Sequence, residues 1–312
     1  MAGLAMSLGS GSMTNSLAEI DAMGPGDCMV VIGSNTTECH PVIGLKLLDA
    51  KRRGAALVVV DPREIDLARR ADVWLRLTPG TDVTLLSSLA RVIVDEGLAD
   101  TAFIHSRTEG FEVFRHSLAA FSPEAAAGVC GLAAADIRKA ARVVGASANA
   151  AFYYTMGVTQ HVTGTDNVLA VSNLALATGN LGRPKTGVNP LRGQNNVQGS
   201  CDMGTLPTVL TGYRSVTDEA ARQTFEAAWG VSLPGAPGLT LPKMLDGALH
   251  GTVRGLFILG ENPMRSDPDV AHVARCLTAL DFLVVQDLFL TETAALADVV
   301  LPGASFAEKD GT

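Results

Sequence analysis

Two apolar runs, CMVVIG (28–33) and AALVVVD (55–61), flank a segment whose apolar residues recur at helical spacing. No other feature constrains the fold as much. A short, Val-rich run bounded by turn residues reads as a strand buried on both faces. Between the runs, Pro41 stands at a first helical position and Gly54 at a stop, which predicts a helix to Arg53. Strand, helix and strand form a βαβ unit, and doubly buried strands belong to a parallel sheet covered by helices. The fold class is therefore α/β.

The same pattern continues along the chain. VWLRL (73–77) and AAFYYTMG (150–157) read as further strands, with helices expected from Thr81 or Asp82 to Glu96, over 101–118, over 134–146 and over 165–179. Residues 1–20 read as a Gly/Ser-rich loop with a short helix. The interval 205–250 is broken by prolines and predicts excursions around one helix, EAARQTFEAAWG. A second α/β segment follows, with strands VRGLFILG (253–260), FLVVQD (282–287) and ADVVLP (297–302). Two parallel-sheet domains of Rossmann-like type are expected, residues 1–194 and 195–312.

Parallel sheets bind ligands just beyond the carboxyl ends of their strands. There the sequence places Gly33, Ser34 and Asn35 after the first strand and Asp61, Pro62 and Arg63 after the second. An acid at the second strand end suits a ribose or base edge, and a plain turn is the bland alternative. Gly33-Ser34-Asn35 is not GxGxxG, so the NAD fingerprint is absent. The backbone amides of Gly80 and Thr81 are expected to be free for an anion at a helix start. In the second segment Gly260-Glu261-Asn262 and Gln286-Asp287 occupy equivalent strand ends and imply a second nucleotide site.

Between the two segments lies GVNPLRGQNNVQGSCDMG (187–204), rich in Gly, Asn and Gln around the single Arg192. Its periodicity fits neither helix nor strand, so a functional loop is expected. The guanidinium offers a rigid donor fork suited to a carboxylate or phosphate.

Composition narrows the partners. The net charge of −8 over 312 residues argues against nucleic acid. No apolar run is long enough to span a membrane, and the N-terminus has no basic leader, so a cytoplasmic location is expected. The five cysteines lack CxxC spacing and read as reduced thiols rather than zinc or iron–sulfur ligands. His105 and His116, eleven residues apart, have no metal-binding geometry.

The run TGNLGRPKTGVNPLRGQNNVQGSCDMG, with GSNTTECHPVIG, VVDPR, FIHSRTEGFE, MGVTQH, GENPMRSDPD and VVQDLFLTETAALADVVLP, resembles the formate dehydrogenase branch of the molybdopterin oxidoreductase family. The resemblance covers nearly the whole chain. It implies two molybdopterin guanine dinucleotides, whose dithiolene sulfurs hold molybdenum or tungsten. Gly33, Ser34, Asn35, Glu38, Asp61, Pro62, Arg63, Gly80 and Asp82 would meet one dinucleotide. Met156, Gly157, Val158, Gln160, Gly260, Glu261, Asn262, Gln286 and Asp287 would meet the other. Arg192 would hold formate and Gln194 would touch the pterin. The implied reaction oxidises formate to CO2 and passes electrons to an electron-transfer subunit or domain.

Met13-Thr14-Asn15 resembles the family's MTN, which follows the Cys or selenocysteine metal ligand. The resemblance places that ligand, and a domain with a 4Fe–4S cluster, upstream of Met1, and a cap domain beyond Thr312. The expectation is a fragment, inactive alone, whose second domain is incomplete and exposes apolar surface. A nitrate reductase, which would not share RGQNNVQG, and a free-standing molybdopterin-binding module are the alternatives.

Overall fold

The Val-rich runs are neighbours in one parallel sheet. β1 (Asp27–Ile32) pairs with β2 (Ala56–Val60), Val30 opposite Val58 and Ile32 opposite Val60. The computed structural model describes residues 2–311. β3 (Val73–Leu75), β4 (Asn149–Tyr154) and β5 (Gly187–Pro190) complete a sheet of order β3-β2-β1-β4-β5. Every pairing in it is parallel. The chain winds outward from β1 in one direction and from β4 in the other, so the order reverses between them. That reversal opens a crevice at the carboxyl ends of β1 and β4.

Side-chain alternation divides the core between the two faces of this sheet. Val30, Ile32, Val58, Val60 and Phe152 pack with Leu85, Leu89, Ile137 and Val171, which come from helices 82–95, 134–145 and 164–177. Met29, Val31, Leu57, Val59 and Tyr153 pack on the other face with Ile20 and Leu47, from the turn at 17–22 and helix 41–52. All six residues of β1 are buried.

The chain divides into two units after Asn195. In the second, a hairpin of β6 (Val209–Leu210) and β7 (Arg214–Ser215) precedes helices 219–229 and 241–249. Its parallel sheet has the order β10-β9-β8, formed by β8 (Gly255–Leu259), β9 (Phe282–Asp287) and β10 (Val299–Pro302). Leu283 and Val285 bury against Leu245, Val273 and Leu277. The opposite face is bare, with Phe257 58%, Leu259 64% and Phe282 51% exposed.

Four expectations require correction. Gly187–Gly204 is not irregular throughout: Gly187–Pro190 is the buried edge strand β5, and Val197–Asp202 forms a short helix capped by the Asn196 side chain. The segment 101–118 is two helices, because Gly110 at φ 71° breaks the run. Helices Pro123–Cys130 and Leu241–Leu249 are additional to those expected, and each has proline in its first turn, where the missing N–H costs nothing. Finally, the Thr81 N–H donates to the Thr78 carbonyl at 3.3 Å and is not free for an anion.

Candidate functional site

The crevice between β1 and β4 is closed at its base by two glycines. Gly33 follows β1 and has φ 52°, in the left-handed region. The Gly157 N–H donates to the Gly33 carbonyl at 3.2 Å, and the Thr155 hydroxyl donates to the same oxygen at 2.6 Å. A Cβ on Gly157 would stand 2.6 Å from the Gly33 oxygen, and one on Gly33 2.7 Å from the Gly157 carbonyl carbon. Only glycine lets the two main chains meet, and the floor they make is backbone alone.

Above this floor lies a cavity of about 290 Å³, lined by Gly33, Asn35, Asp61, Arg63, Asp82 and Gly157 among others. Strand ends therefore bring together loops 124 positions apart in sequence (33 to 157). Asp61 and Asp82 are 7% and 5% exposed. Burial pushes the Asp61 carboxyl above its ordinary range, against a 2.8 Å hydrogen bond from the Arg63 N–H and the charge of that arginine. The Asp61 carbonyl accepts from the Trp74 indole at 2.9 Å, fixing the turn to β3. Burial likewise raises the Asp82 carboxyl, with the nearby His161 acting against it. Two acids, one guanidinium and exposed backbone suit a ligand with hydrogen-bond donors and an anionic part.

Gly157, which the resemblance implied for the second dinucleotide, thus lines the same cavity as Gly33, Asn35 and Asp61. Val158 is buried below it, whereas Met156 and Gln160 are exposed. Ser34 is buried and its hydroxyl bonds that of Thr36 at 2.8 Å, so it shapes the turn. Glu38, Gly80 and Gln194 are exposed. His161, Leu77 and Pro79 also line the cavity, and nothing in their local sequence marks them for it. His161 stands in the sequence only as the end of MGVTQH; in the fold its ring bonds the Gly157 carbonyl at 3.0 Å.

Arg192 lies just past the end of β5. The Leu191 N–H donates to the Tyr154 carbonyl at 2.9 Å as the last rung of the ladder. The Arg192 guanidinium then turns to the N-terminal segment, where its Nη2 donates to the Gly11 carbonyl at 2.7 Å. That segment is held by β5 itself. Thr14 Oγ1 accepts from the Val188 N–H at 2.7 Å, and the Asn15 amide donates to the carbonyls of Arg183 and Thr186 at 3.0 and 3.1 Å. Met13-Thr14-Asn15 is therefore the clasp that covers the sheet edge and brings Gly11 to Arg192.

Three buried polar atoms around this arginine have no partner among the described residues: Arg192 Nε, the Tyr154 hydroxyl and His40 Nδ1. Burial pushes the Tyr154 phenol up, with the Arg192 charge opposing it. Buried polar groups in folded proteins are almost always paired, so an orphan cluster beside a guanidinium fits a polar, anionic ligand.

In the second unit, Gly260 at φ 61° ends β8, and its N–H donates to the Gln286 carbonyl at 2.9 Å. Asn262 Oδ1 accepts from the hydroxyl of the fully buried Thr293 at 2.6 Å, while its Nδ2 donates to Glu292 at 2.8 Å. Glu261 accepts from Ser266 at 2.8 Å, and Asp287 accepts from the Leu288 N–H at 2.6 Å. Gln286 is half-buried beside them. These side chains organise the strand ends. Among the described residues no cluster of His, Cys, Asp or Glu is arranged to hold a metal, and no helix is long and apolar enough to cross a membrane.

The chain is 49% identical over 310 residues to the F420-dependent formate dehydrogenase subunit alpha of Methanocaldococcus jannaschii, a match covering 99% of this chain and 45% of the relative. It is 44% identical to formate dehydrogenase H of Escherichia coli, covering 100% of this chain and 43% of that protein. The chain thus spans less than half the length of these relatives. The fold matches acetylene hydratase from Pelobacter acetylenicus with a TM-score of 0.76 at 23% identity, over 97% of this chain and 43% of that one. The molybdopterin oxidoreductase family matches residues 4–312, and to that family this chain belongs.

Proposed function

We propose that this chain forms the cofactor-cradling and substrate-holding part of a formate dehydrogenase. Family membership brings a molybdopterin cofactor carrying molybdenum or tungsten. When bound, that group supplies the two-electron redox chemistry by which formate becomes CO2 and a proton. The chain's own residues bind and orient. Gly33 and Gly157 offer a main-chain floor on which a flat or phosphorylated group can rest without meeting a Cβ. Asp61 faces the cavity as an acceptor for ribose or guanine N–H and O–H groups, which is the reading that favours a guanine dinucleotide. Asp82, Asn35 and Arg63 complete that wall. In the second unit Glu261, Asn262, Gln286 and Asp287 mark the strand ends at which a second dinucleotide would be received. Gln194 would reach the pterin.

Arg192 would hold the formate oxygens. The observation that carries this reading is the buried, unpartnered Nε–H of a guanidinium whose Nη2 is already fixed by Gly11. A formate carboxylate would satisfy that donor through a charge-assisted hydrogen bond, roughly twice as strong as a neutral one. Lysine cannot reproduce a planar fork. In the cofactor-loaded polypeptide carrying this chain, Arg192→Lys should raise the formate KM about 10- to 100-fold, from the ~1.5–3 kcal/mol of a hydrogen bond to a charged group. Unchanged formate saturation would remove Arg192 from the substrate. Acid release of GMP from the purified protein, reduced in Asp61→Asn, tests the dinucleotide reading. An electron-transfer partner is implied by the electrons that must leave.

A further inference from the structure

Arg192 is the second residue beyond β5, and its carbonyl has no strand to pair with. It is paired instead by a residue 152 positions away: His40 Nε2 lies 2.5 Å from the Arg192 oxygen. A carbonyl can only accept, so His40 Nε2 carries a proton and donates it. The main chain of His40 is itself held on both sides. The His40 N–H donates to the Thr36 carbonyl at 2.9 Å, and its carbonyl accepts from the Gly44 N–H at 2.8 Å. Pro41 behind it keeps His40 out of helical conformation, which separates the short helix 36–39 from helix 41–52.

We propose that His40 is a positioning residue for Arg192, a proposal that rests on Arg192 being the substrate-holding group. Three contacts then fix the arginine: the Leu191 N–H to Tyr154, the His40 ring to its carbonyl, and its own Nη2 to Gly11. The first two set the direction in which the side chain leaves the main chain, and the third sets the plane of the fork. Beyond Arg192 the chain from Gly193 to Asn196 is exposed. His40 also closes the loop that follows β1, the loop that begins with Gly33 and lines the cavity. Through a single hydrogen bond, the cofactor loop and the substrate arginine become one assembly.

The test is trypsin cleavage of the intact chain after Arg192, since cleavage requires that arginine to leave its clamp, and slow cleavage reports the open population. The cleavage rate is read as a ratio to cleavage after Arg107, so that general loosening cancels. His40→Phe keeps bulk without a donor and should raise the ratio about three- to tenfold, the effect of losing one hydrogen bond. His40→Gln places an amide N–H where Nε2 stood and should restore the wild-type ratio. Equal ratios in wild type and His40→Phe, or equal loss in His40→Phe and His40→Gln, would overturn the proposal. In the cofactor-loaded enzyme His40→Phe should raise the formate KM more than it lowers kcat. If Arg192→Lys leaves formate saturation unaltered while the tryptic ratios follow expectation, the substrate reading fails and the positioning stands.

Discussion

Gly157 donates its N–H to the Gly33 carbonyl at 3.2 Å, so the loops after β1 and β4 touch main chain to main chain at the point where the sheet order reverses. Gly157→Ala puts a methyl group 2.6 Å from that oxygen, where backbone on both sides must move. The expected cost is about 1–3 kcal/mol, the range for overpacking. Gly80→Ala is the control, because a Cβ there meets nothing within 4 Å and only the left-handed φ of 86° opposes it, at about 1–2 kcal/mol. Urea denaturation gives both stabilities. Pterin retention separates them further: Gly157→Ala should lose cofactor even where it remains folded, and Gly80→Ala should lose much less.

The edge of β5 depends on Thr14. Its hydroxyl accepts from the Val188 N–H at 2.7 Å, and Val188 is fully buried. Thr14→Val keeps the shape and leaves that N–H unpaired, which costs about 1–3 kcal/mol. Since the same segment carries Gly11 to Arg192, the variant should also show faster tryptic cleavage after Arg192. A variant as stable as wild type, with unaltered cleavage, would show that another group satisfies Val188.

Residues close in sequence are legible; residues joined by the fold are not. The Val runs of β1 and β2 declare a buried parallel pair through composition and spacing alone, and Asp61 follows as the acid at a strand end. β5 is hidden because Gly187, Asn189 and Pro190 carry no strand pattern, and the four-residue strand exists through pairing with β4 and a clasp 174 positions away. His40 looks like an ordinary residue before a proline, and only the fold sets its ring on the Arg192 carbonyl. His161 reaches the cavity wall by the same route. The contact of Gly33 with Gly157 needs β1 and β4 to be neighbours, which no local pattern states.

Two buried aspartates should respond to pH in opposite directions. Burial raises the Asp61 carboxyl, and the Arg63 contacts only partly offset it. A carboxyl that holds its proton more tightly when folded makes the protein less stable as pH rises above the unfolded value near 3.9. Asp61→Asn removes that charge while keeping an acceptor for the Arg63 N–H. It should be more stable than wild type at pH 7, with the gain vanishing as pH falls below the ordinary aspartate range. Asp27 behaves otherwise. Burial opposes its charge too, but hydrogen bonds from the Asn149 amide, the Gly24 N–H and Lys185 outweigh it and hold the carboxyl below the usual range. Its contribution is complete above the unfolded value and is lost as pH falls through the lower folded value. Asp27→Asn should therefore cost roughly 1.5–3 kcal/mol at pH 7, the worth of hydrogen bonds to a charged group, and progressively less on acidification. Urea midpoints of both variants, followed from pH 7 down to about pH 2, should converge on wild type from opposite sides, Asp27→Asn only below the ordinary aspartate range. Parallel curves would mean that neither carboxylate titrates differently in the folded chain.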